Sequence, residues 1–385
     1  MTIRQEEERF TDFIVRGALA RCARKLAEGK EATVAFIGGS VTVGAGATDA
    51  NAASYRALAC RFLERRYPHI AFTFVNAAIG GTDSAYGAFR LKEHAFGQGP
   101  ADLLFVEFAV NDAGGRTRSL RAMEGIVRQA KRINPEIDLC FVYLANRPGA
   151  ERYAATGEPQ ASVAHHEEVA EHYGIPSVHI GERIYRLLQA GGLRWEELSG
   201  DNVHPNDLGH SLYAGYLRQA LEELLVLDLQ DGIGSSGVPA PLDPYSYEHA
   251  GMKAPEHAVD RASGWKDVRG WTTERTCSWT PPADIYLGER PGDEFLLRFD
   301  GTAAGISLLA GPDTGDLEAA VDRGPYRTVP LFDSFCERFY RPKIALLADG
   351  LEPGSHTVHI RIAAGKDERS AGHAVRILKL LVNGR

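Results

Sequence analysis

Short runs of apolar residues recur through the first half of the chain. They are rich in valine, isoleucine and phenylalanine. The runs are nearly continuous instead of alternating with polar residues, which is typical of strands buried on both faces of a sheet. We therefore predict a buried strand at each of five positions, residues 33–37, 71–79, 101–110, 138–145 and 176–180.

The segments between these runs carry apolar residues three or four positions apart, which is the period of an amphipathic helix. Strands that alternate with helices predict a parallel sheet covered by helices on both faces. Such sheets bind ligands at the carboxyl ends of their strands, so we expect functional residues directly after the apolar runs. The predicted helices are residues 54–67, 119–133, 162–174 and about Asp207 to Leu225, with a further one between Phe10 and Leu26 that stops at Gly29.

The pattern changes from about residue 227 onwards. Residues 228–244 are rich in glycine, proline and serine, which is typical of a linker. Short alternating segments separated by turn residues then predict an antiparallel β-sandwich. These segments are residues 295–299, 305–311, 356–362 and 373–382.

This change of pattern divides the chain into two domains. We predict a catalytic α/β domain over residues 1–228, a linker over residues 229–256 and a β-sandwich accessory domain over residues 257–385. The total length of 385 residues supports two domains, because it exceeds what a single hydrophobic core usually serves.

Composition and charge exclude several classes of protein. Hydrophobic residues make up 44% of the chain and charged residues 24%, which is ordinary for a globular protein. The net charge is −8, with both signs mixed along the chain, and no basic stripe predicts a nucleic-acid partner. No apolar stretch reaches the length of a membrane span, so we expect no membrane-spanning segment.

The N-terminus and the cysteines bear on location and cofactors. The first ten residues are charged where a signal peptide would need an apolar core, so we expect a cytoplasmic protein. The five cysteines are scattered without a CxxC pair, which predicts neither a disulfide framework nor a zinc site. The adjacent His165 and His166 lack metal-ligand spacing. We expect no metal and no cofactor.

Ser40 lies in a glycine-rich turn at the end of the first predicted strand. Small neighbours, including Gly38 and Gly39, would let a substrate carbonyl approach the backbone at this point. A phosphate-binding loop is the competing interpretation of residues 38–46. It ranks lower, because neither a Gly-Lys-Ser/Thr ending nor a GxGxxG register is present.

Two further elements follow the second and third predicted strands. A glycine in the segment 76–84 could aim its backbone N–H at a developing oxyanion, although a plain turn is the alternative. Asn111 follows the third strand, where its amide is a second candidate donor. Its alternative role is the N-cap of the next helix.

The sequence Asp201-Asn202-Val203-His204 is the most informative local motif. Its three-residue step lets a turn bring the carboxylate against the imidazole, which leaves the second ring nitrogen free to accept a serine proton. Asp207 and His210 repeat the same spacing. They continue into the predicted helix, where we expect them to cap it and to pack against it.

Taken together, these four elements resemble the SGNH (GDSL-like) family of serine esterases over about residues 30–225. The nucleophile motif of that family corresponds to Gly38-Gly39-Ser40, its glycine to Gly81, with Gly80 as the alternative, and its asparagine to Asn111. Its terminal acid–base pair corresponds to Asp201 and His204. The usual Gly-Asp-Ser-Leu is replaced by Gly-Gly-Ser-Val, and Ala109 stands where a glycine is usual, which indicates a divergent branch.

The resemblance implies a fold and a mechanism. The fold would be a flavodoxin-like three-layer α/β/α domain, followed by a sandwich similar to the jelly-roll-like accessory domains of some bacterial carbohydrate esterases. Ser40 would be the nucleophile, His204 its base and Asp201 the residue that orients His204. The oxyanion would bind the backbone N–H groups of Ser40 and Gly81 and the side-chain amide of Asn111.

Several buried or aromatic residues have predicted roles in packing. Glu107 lies inside an apolar run, where a lone carboxylate would be costly, and Arg90 is its first candidate partner in a structural ion pair. Tyr86 and Trp195 could line an acyl or sugar pocket, but we expect core packing for both.

The predicted function is hydrolysis of short-chain acyl esters by an acyl-enzyme mechanism. The acyl group would be acetyl, and the substrate a small-molecule ester such as an acetylated saccharide. Two alternatives remain open: an acyltransferase with the same triad, and a non-catalytic carbohydrate-binding protein on a hydrolase scaffold. A homo-oligomer is compatible with the sequence, which does not determine the oligomeric state.

Overall fold

The five predicted apolar runs form the parallel strands of a six-stranded sheet. The computed structural model describes residues 13–16, 18–225, 237–257, 259–277 and 279–384. In chain order, the strands of this sheet are β1 (Phe13–Ile14), β2 (Ala32–Gly38), β3 (Phe72–Asn76), β4 (Leu103–Glu107), β5 (Asp138–Val142) and β6 (Ser177–Val178).

Helices connect these strands and cover both faces of the sheet. They are α1 (Ala20–Ala27), α2 (Ser40–Val43), α3 (Tyr55–Arg66), α4 (Ser84–His94), α5 (Arg116–Ile133), α6 (Arg147–Thr156), α7 (Ala161–Tyr173), α8 (Ile180–Gln189), α9 (Trp195–Leu198) and α10 (Asp207–Leu224). The predicted alternation of strands and helices is confirmed.

The strand order of the sheet places the site. The order is β1-β6-β5-β4-β2-β3, and β2 to β6 are parallel. The chain leaves β2 for β3 on one side and then crosses to β4 on the other side. This is the flavodoxin-like order with its switch point between β2 and β4, where open α/β sheets bind ligands. Ser40 follows β2 and Asn111 follows β4, so both lie at this point.

Alternating side chains of the strands build two separate cores. On β4, Leu103 and Phe105 pack on the face covered by α3 and α10, whereas Leu104 and Val106 pack on the face covered by α4 and α5. This period of two follows from the pleat of a strand. It also determines which face receives Glu107, two residues beyond Phe105.

The N-terminal segment differs in part from its prediction. Residues 1–12, where the predicted helix would begin, lie outside the described residues. Phe13 and Ile14 form an antiparallel pair with Val178 and Ser177, and α1 begins only at Ala20. The exposed edge of β6 offers unpaired backbone groups, and pairing with it satisfies these groups while it buries Phe13.

The second half of the chain forms two antiparallel sheets that enclose a third apolar core. The predicted β-sandwich is confirmed. The strands are β7 (Ala250–Lys253), β8 (Val259–Ser263), β9 (Lys266–Val268), β10 (Ile285–Gly288), β11 (Glu294–Gly301), β12 (Ala303–Ala310), β13 (Leu317–Val321), β14 (Arg327–Val329), β15 (Arg341–Ala348), β16 (Gly354–Ile362) and β17 (Val375–Asn383).

The two halves share one apolar core. The sheet with the order β15-β12-β17-β10-β9 turns one face towards the other sheet and presents its opposite face to α4. Ala303 and Leu381 of this sheet lie in the same cluster as Phe89 of α4 and Met123 of α5. The sandwich is therefore packed against the helices of the α/β half and is not tethered by a linker alone.

The connecting segment takes part in this packing. The predicted boundary at 228/229 lies outside the described residues, and the limits of the linker stay a prediction. Within the predicted linker, Tyr247 is fully buried against Phe89, and Glu124 of α5 accepts the backbone N–H groups of Leu242 and Asp243. Ala250–Lys253 pairs with β17.

Among the described residues, no helix combines the length and the apolar character that crossing a membrane requires.

Candidate active site

The turn after β2 presents Ser40 at the carboxyl edge of the sheet. Gly39 is extended, and Ser40 begins the short helix α2. A Cβ atom on Gly38 would lie 2.6 Å from Thr42 Oγ1 and 2.7 Å from the backbone oxygen of Glu107. One on Gly39 would overlap Asn111 Nδ2. Two glycines are therefore required for the chain to pass between its neighbours at this point.

Ser40, His204 and Asp201 lie in one chain of hydrogen bonds. Ser40 Oγ is 2.8 Å from His204 Nε2, and His204 Nδ1 is 2.7 Å from Asp201 Oδ2. Because a carboxylate only accepts, Nδ1 carries a proton and Nε2 is left to accept the serine hydroxyl. The side chains of His204 and Asp201 are 36% and 53% exposed, so the end of this chain is open to solvent.

The loop that carries Asp201 and His204 is held by hydrogen bonds within the loop. Asp201 Oδ1 accepts the backbone N–H groups of Val203 and His204, both at 2.7 Å. Burial opposes ionisation of Asp201, but these bonds and the one from the imidazole outweigh it and hold the pKa of its carboxyl below the ordinary value. Trp195 Nε1 donates to the backbone oxygen of Asp201 at 2.6 Å, and Ser199 Oγ donates to that of His204 at 2.7 Å.

Asp207 and His210 form hydrogen bonds with the loop that follows the nucleophile. The N-cap of α10 is Asn206, so the predicted capping role of Asp207 is wrong. Asp207 instead accepts the backbone N–H of Thr48 at 2.8 Å and its hydroxyl at 2.7 Å. His210 is buried as predicted: Nδ1 accepts the N–H of Tyr55, and Nε2 donates to the backbone oxygen of Ala45.

The three candidate oxyanion donors lie around the nucleophile turn. Gly81 has a left-handed φ of 71°, which suits glycine. Asn111 Nδ2 packs against Gly39 and donates one N–H to the backbone oxygen of Thr82 at 2.9 Å, which leaves its second N–H available. Within the part of the chain that the structure describes, the N–H groups of Ser40 and Gly81 have no acceptor.

The predicted ion pair between Glu107 and Arg90 is wrong. Glu107 follows Phe105 by two positions and therefore points to the face covered by α3, where it accepts the hydroxyl of Thr42 of α2 at 2.8 Å. Arg90 belongs to α4 on the opposite face of the sheet. The alternation of side chains along β4 separates the two charges, which a reading of the residue types alone does not reveal.

Arg90 binds two loops of the site, the nucleophile turn and the segment 77–83 that carries Gly81, through their backbone and side-chain oxygens. Its guanidinium donates to the backbone oxygens of Ala77 and Gly38 and to Thr82 Oγ1. The side chain is fully buried, and burial lowers the pKa of Arg90 to about 10. Arg90 thus joins the nucleophile turn to the Gly81 loop. Its basic side chain on an apolar helix is the signal that sequence reasoning could have used.

Glu107 lies under the nucleophile turn, and no cation among the described residues forms an ion pair with it. Besides Thr42, the backbone N–H of Gly39 faces its carboxyl at 3.5 Å. Burial raises the pKa of Glu107 to about 7 and outweighs these hydrogen bonds. Tyr55 continues the network, because its hydroxyl lies 2.7 Å from Thr42 Oγ1.

A second acid–histidine pair anchors the segment after Gly81. Asp112 accepts the backbone N–H and the hydroxyl of Ser84, at 2.8 and 2.6 Å, and lies 2.8 Å from His166 Nε2. Burial opposes ionisation of Asp112, but these partners outweigh it and lower the pKa of its carboxyl. Sequence analysis did not identify this cluster. It ties the start of α4 to the loop that carries Asn111.

A side chain of the sandwich completes the surroundings of Gly81. Arg341, the first residue of β15, donates from Nη2 to the backbone oxygen of Gly81 at 3.1 Å. It is only 17% exposed, and its Nη1 lies 2.6 Å from Asp333. No sequence signal links two residues that are 260 positions apart and belong to different domains.

The other residues considered from the sequence lie in packed surroundings. Tyr86 and Trp195 are both buried, as expected for core packing. Across the described ranges, no group of three histidine, cysteine or acidic side chains converges as metal ligands would.

Comparisons with known proteins follow the same division of the chain. Residues 36–212 match the GDSL-like Lipase/Acylhydrolase family. No curated protein matches the chain. Among solved structures, a two-domain esterase, CEX, active on acetylated mannans, is 22% identical, covers 95% of this chain and 96% of its own, and has a TM-score of 0.79.

The same esterase has also been crystallised with mannopentaose, with a TM-score of 0.78 at 22% identity over 95% of both chains. Axe2, an acetylxylan esterase from Geobacillus stearothermophilus, is 21% identical, covers 50% of this chain and 95% of its own, and has a TM-score of 0.41. The likeness to CEX extends over both domains and therefore shows that the two-domain fold is shared.

Glu107→Gln should remove a pH dependence of stability. Burial raises the pKa of Glu107 in the folded protein from its ordinary value of 4.5 to about 7. The neutral side chain therefore makes its full contribution to stability below pH 4.5, and this contribution is lost as the pH rises through about 7. The difference between the two pKa values corresponds to on the order of 3 kcal/mol. Relative to wild type, Glu107→Gln should become more stable by this order between about pH 4 and about pH 8.

Urea unfolding of both proteins across this range measures the effect, with the exposed Glu31→Gln as the control. A free-energy difference between wild type and Glu107→Gln that stays constant with pH would show that folding does not shift the pKa of Glu107.

Gly46→Ala should slow the reaction of Ser40 with a fluorophosphonate probe by about 10- to 100-fold. Gly46 has a φ of 91°, and a Cβ atom there would overlap the backbone oxygen of Pro205 and displace the loop of His204. The control is Gly200→Ala in the same loop, because a Cβ atom on Gly200 meets nothing within 4 Å. Equal labelling rates in both variants would contradict this account.

Proposed function

We propose that Ser40, His204 and Asp201 transfer the acyl group of an ester substrate to water. The premise is that residues 36–212 form a GDSL-like lipase/acylhydrolase domain and that the chain is a carboxylic ester hydrolase. The observation that carries this proposal is the unbroken contact from Ser40 Oγ through the imidazole to the carboxylate, with both distances below 3 Å. An intact set of this kind favours an enzyme over a carbohydrate-binding protein without activity.

The first half of the reaction acylates Ser40. Its Oγ attacks the ester carbonyl while His204 Nε2 takes the hydroxyl proton, and Asp201 stabilises the imidazolium that forms. The oxyanion lies among the N–H groups of Ser40, Gly81 and Asn111, each of which contributes about 3 kcal/mol to the transition state. The intermediate collapses, and the leaving alcohol takes the proton back from His204.

The second half releases the acid. A water molecule gives a proton to His204 and attacks the acyl carbonyl, and the same donors hold the second oxyanion. Ser40 then leaves with the proton of the imidazolium. The exposed edge of His204 supports this step, because solvent reaches the base directly.

We propose an acetyl group as the acyl portion. Support comes from the two-domain relative, which is active on acetylated mannans.

We propose an oligosaccharide as the alcohol portion. Phe335 of the sandwich is 55% exposed, and the guanidinium of Arg341 lies 5.3 Å from the centre of its ring. The same guanidinium contacts Gly81, so an open aromatic ring lies close to the oxyanion loop. Aromatic side chains provide large apolar faces on which a sugar ring can stack.

Ser40→Ala should lower the hydrolysis of p-nitrophenyl acetate by about a thousandfold or more, since the nucleophile is lost. The wild type should also release acetate from acetylated manno-oligosaccharides, and its rates should fall from acetate to longer acyl esters. Ser355→Ala in β16 is the control. Wild-type rates in Ser40→Ala would exclude Ser40 as the nucleophile, and acetyl transfer to added alcohols without free acetate would indicate an acyltransferase.

Phe335→Ala should raise the KM for acetylated manno-oligosaccharides several-fold, because packing against an aromatic face contributes on the order of 1 kcal/mol. The KM for p-nitrophenyl acetate should not change. Tyr326→Ala, a second exposed aromatic of the sandwich, is the matched control. An unchanged KM for the oligosaccharides would place the saccharide elsewhere.

A further inference from the structure

The guanidinium of Arg341 holds a peptide that belongs to the other domain. Its Nη2 donates to the backbone oxygen of Gly81 at 3.1 Å, and it lies 3.2 Å from where a Cβ atom on Gly81 would stand. The guanidinium therefore occupies the side of Gly81 that a side chain would otherwise fill. A side chain at position 81 would press on the guanidinium, which would have to shift by a few tenths of an ångström.

The conformation of Gly81 needs such support. Glycine adopts left-handed and right-handed backbone conformations with similar ease, so its own φ of 71° is not fixed by sterics. Its N–H has no acceptor within the described part of the chain and is the group that we assign to the oxyanion. Rotation about the Gly81 backbone would turn this N–H away from Ser40.

Arg341 is itself held in place from behind. Its Nη1 lies 2.6 Å from Asp333 Oδ2, and Asp333 also contacts Lys343 at 3.2 Å. Burial opposes ionisation of Asp333, but the two cations outweigh it and lower the pKa of its carboxyl. Arg341 lies at the start of β15, which packs through Ile344 against the core shared with α4. The guanidinium is thus fixed relative to both domains.

From this geometry we propose that Arg341 is a positioning residue for the oxyanion site, supplied by the β-sandwich. It binds the carbonyl of Gly81 and so restricts rotation of the Gly81 backbone, which keeps the Gly81 N–H directed at the developing oxyanion, while Asn111 holds the next carbonyl, that of Thr82. The inference rests on the proposed hydrolase function. It assigns the sandwich a part in the chemical step, separate from any binding of saccharide.

The test compares Arg341→Ala, Arg341→Lys and Lys343→Ala with wild type on p-nitrophenyl acetate, a substrate too small to need the sandwich. Arg341→Ala should lower kcat by about 10- to 100-fold, the loss expected when an oxyanion donor is misplaced, with KM unchanged within about twofold. Arg341→Lys should recover part of kcat. Lys343→Ala removes the other cation on Asp333 without touching Gly81 and should keep wild-type kcat.

Phenylboronic acid adds a readout that a merely structural role would not move. Its adduct on Ser40 is tetrahedral and anionic, so its inhibition constant should rise in Arg341→Ala by the factor by which kcat/KM falls. Thermal unfolding of the three variants checks that each is folded. If Arg341→Ala does not fold, Arg341→Lys carries the same comparison with smaller changes.

Each outcome of this experiment either supports the proposed role of Arg341 or overturns it. A wild-type kcat in Arg341→Ala, a rise in KM alone, or an equal loss in Lys343→Ala would overturn the proposal. A failure of the proposed function is recognised separately, because wild-type hydrolysis by Ser40→Ala would remove Ser40 from the mechanism whatever the Arg341 variants do.

Discussion

The peptide between Gly38 and Gly39 is the constraint on which the candidate site depends. Thr42, the backbone of Glu107 and the amide of Asn111 approach this peptide so closely that no side chain fits at either position. This close approach places the amide of Asn111 beside the nucleophile turn and joins it to the carbonyl of Thr82. The strand order makes this approach possible, because the connections that follow the neighbouring strands β2 and β4 diverge at the carboxyl ends of these strands.

Two buried ionisable groups hold this turn from opposite faces of the sheet. Arg90 is compensated by carbonyl and hydroxyl oxygens, and Glu107 avoids the cost of a buried charge by a raised pKa. Neither group neutralises the other, so each interaction acts locally on the backbone that it binds. This arrangement fixes the turn with hydrogen bonds to its main chain, which tolerate little displacement.

Sequence patterns predicted most of the fold because buried strands and amphipathic helices have distinct periods. The four family elements were likewise predictable, and the structure brings Ser40, Asp201 and His204 together. Errors arose where the answer depended on which face a side chain occupies: Glu107 and Arg90 were paired across a strand that separates them. The contact of Arg341 with Gly81 could not be predicted from the sequence, since it follows from the packing of two domains and not from any local pattern.

The apolar core common to α4 and the sandwich also bears on how such a chain could change over time. Separating the halves would expose Phe89 and Tyr247 on one piece and Leu381 on the other, and apolar patches of this kind promote aggregation. Neither half could therefore be exchanged for an unrelated module without rebuilding the surface of its partner. The hydrolase and its sandwich are expected to be inherited as one unit and to diverge together.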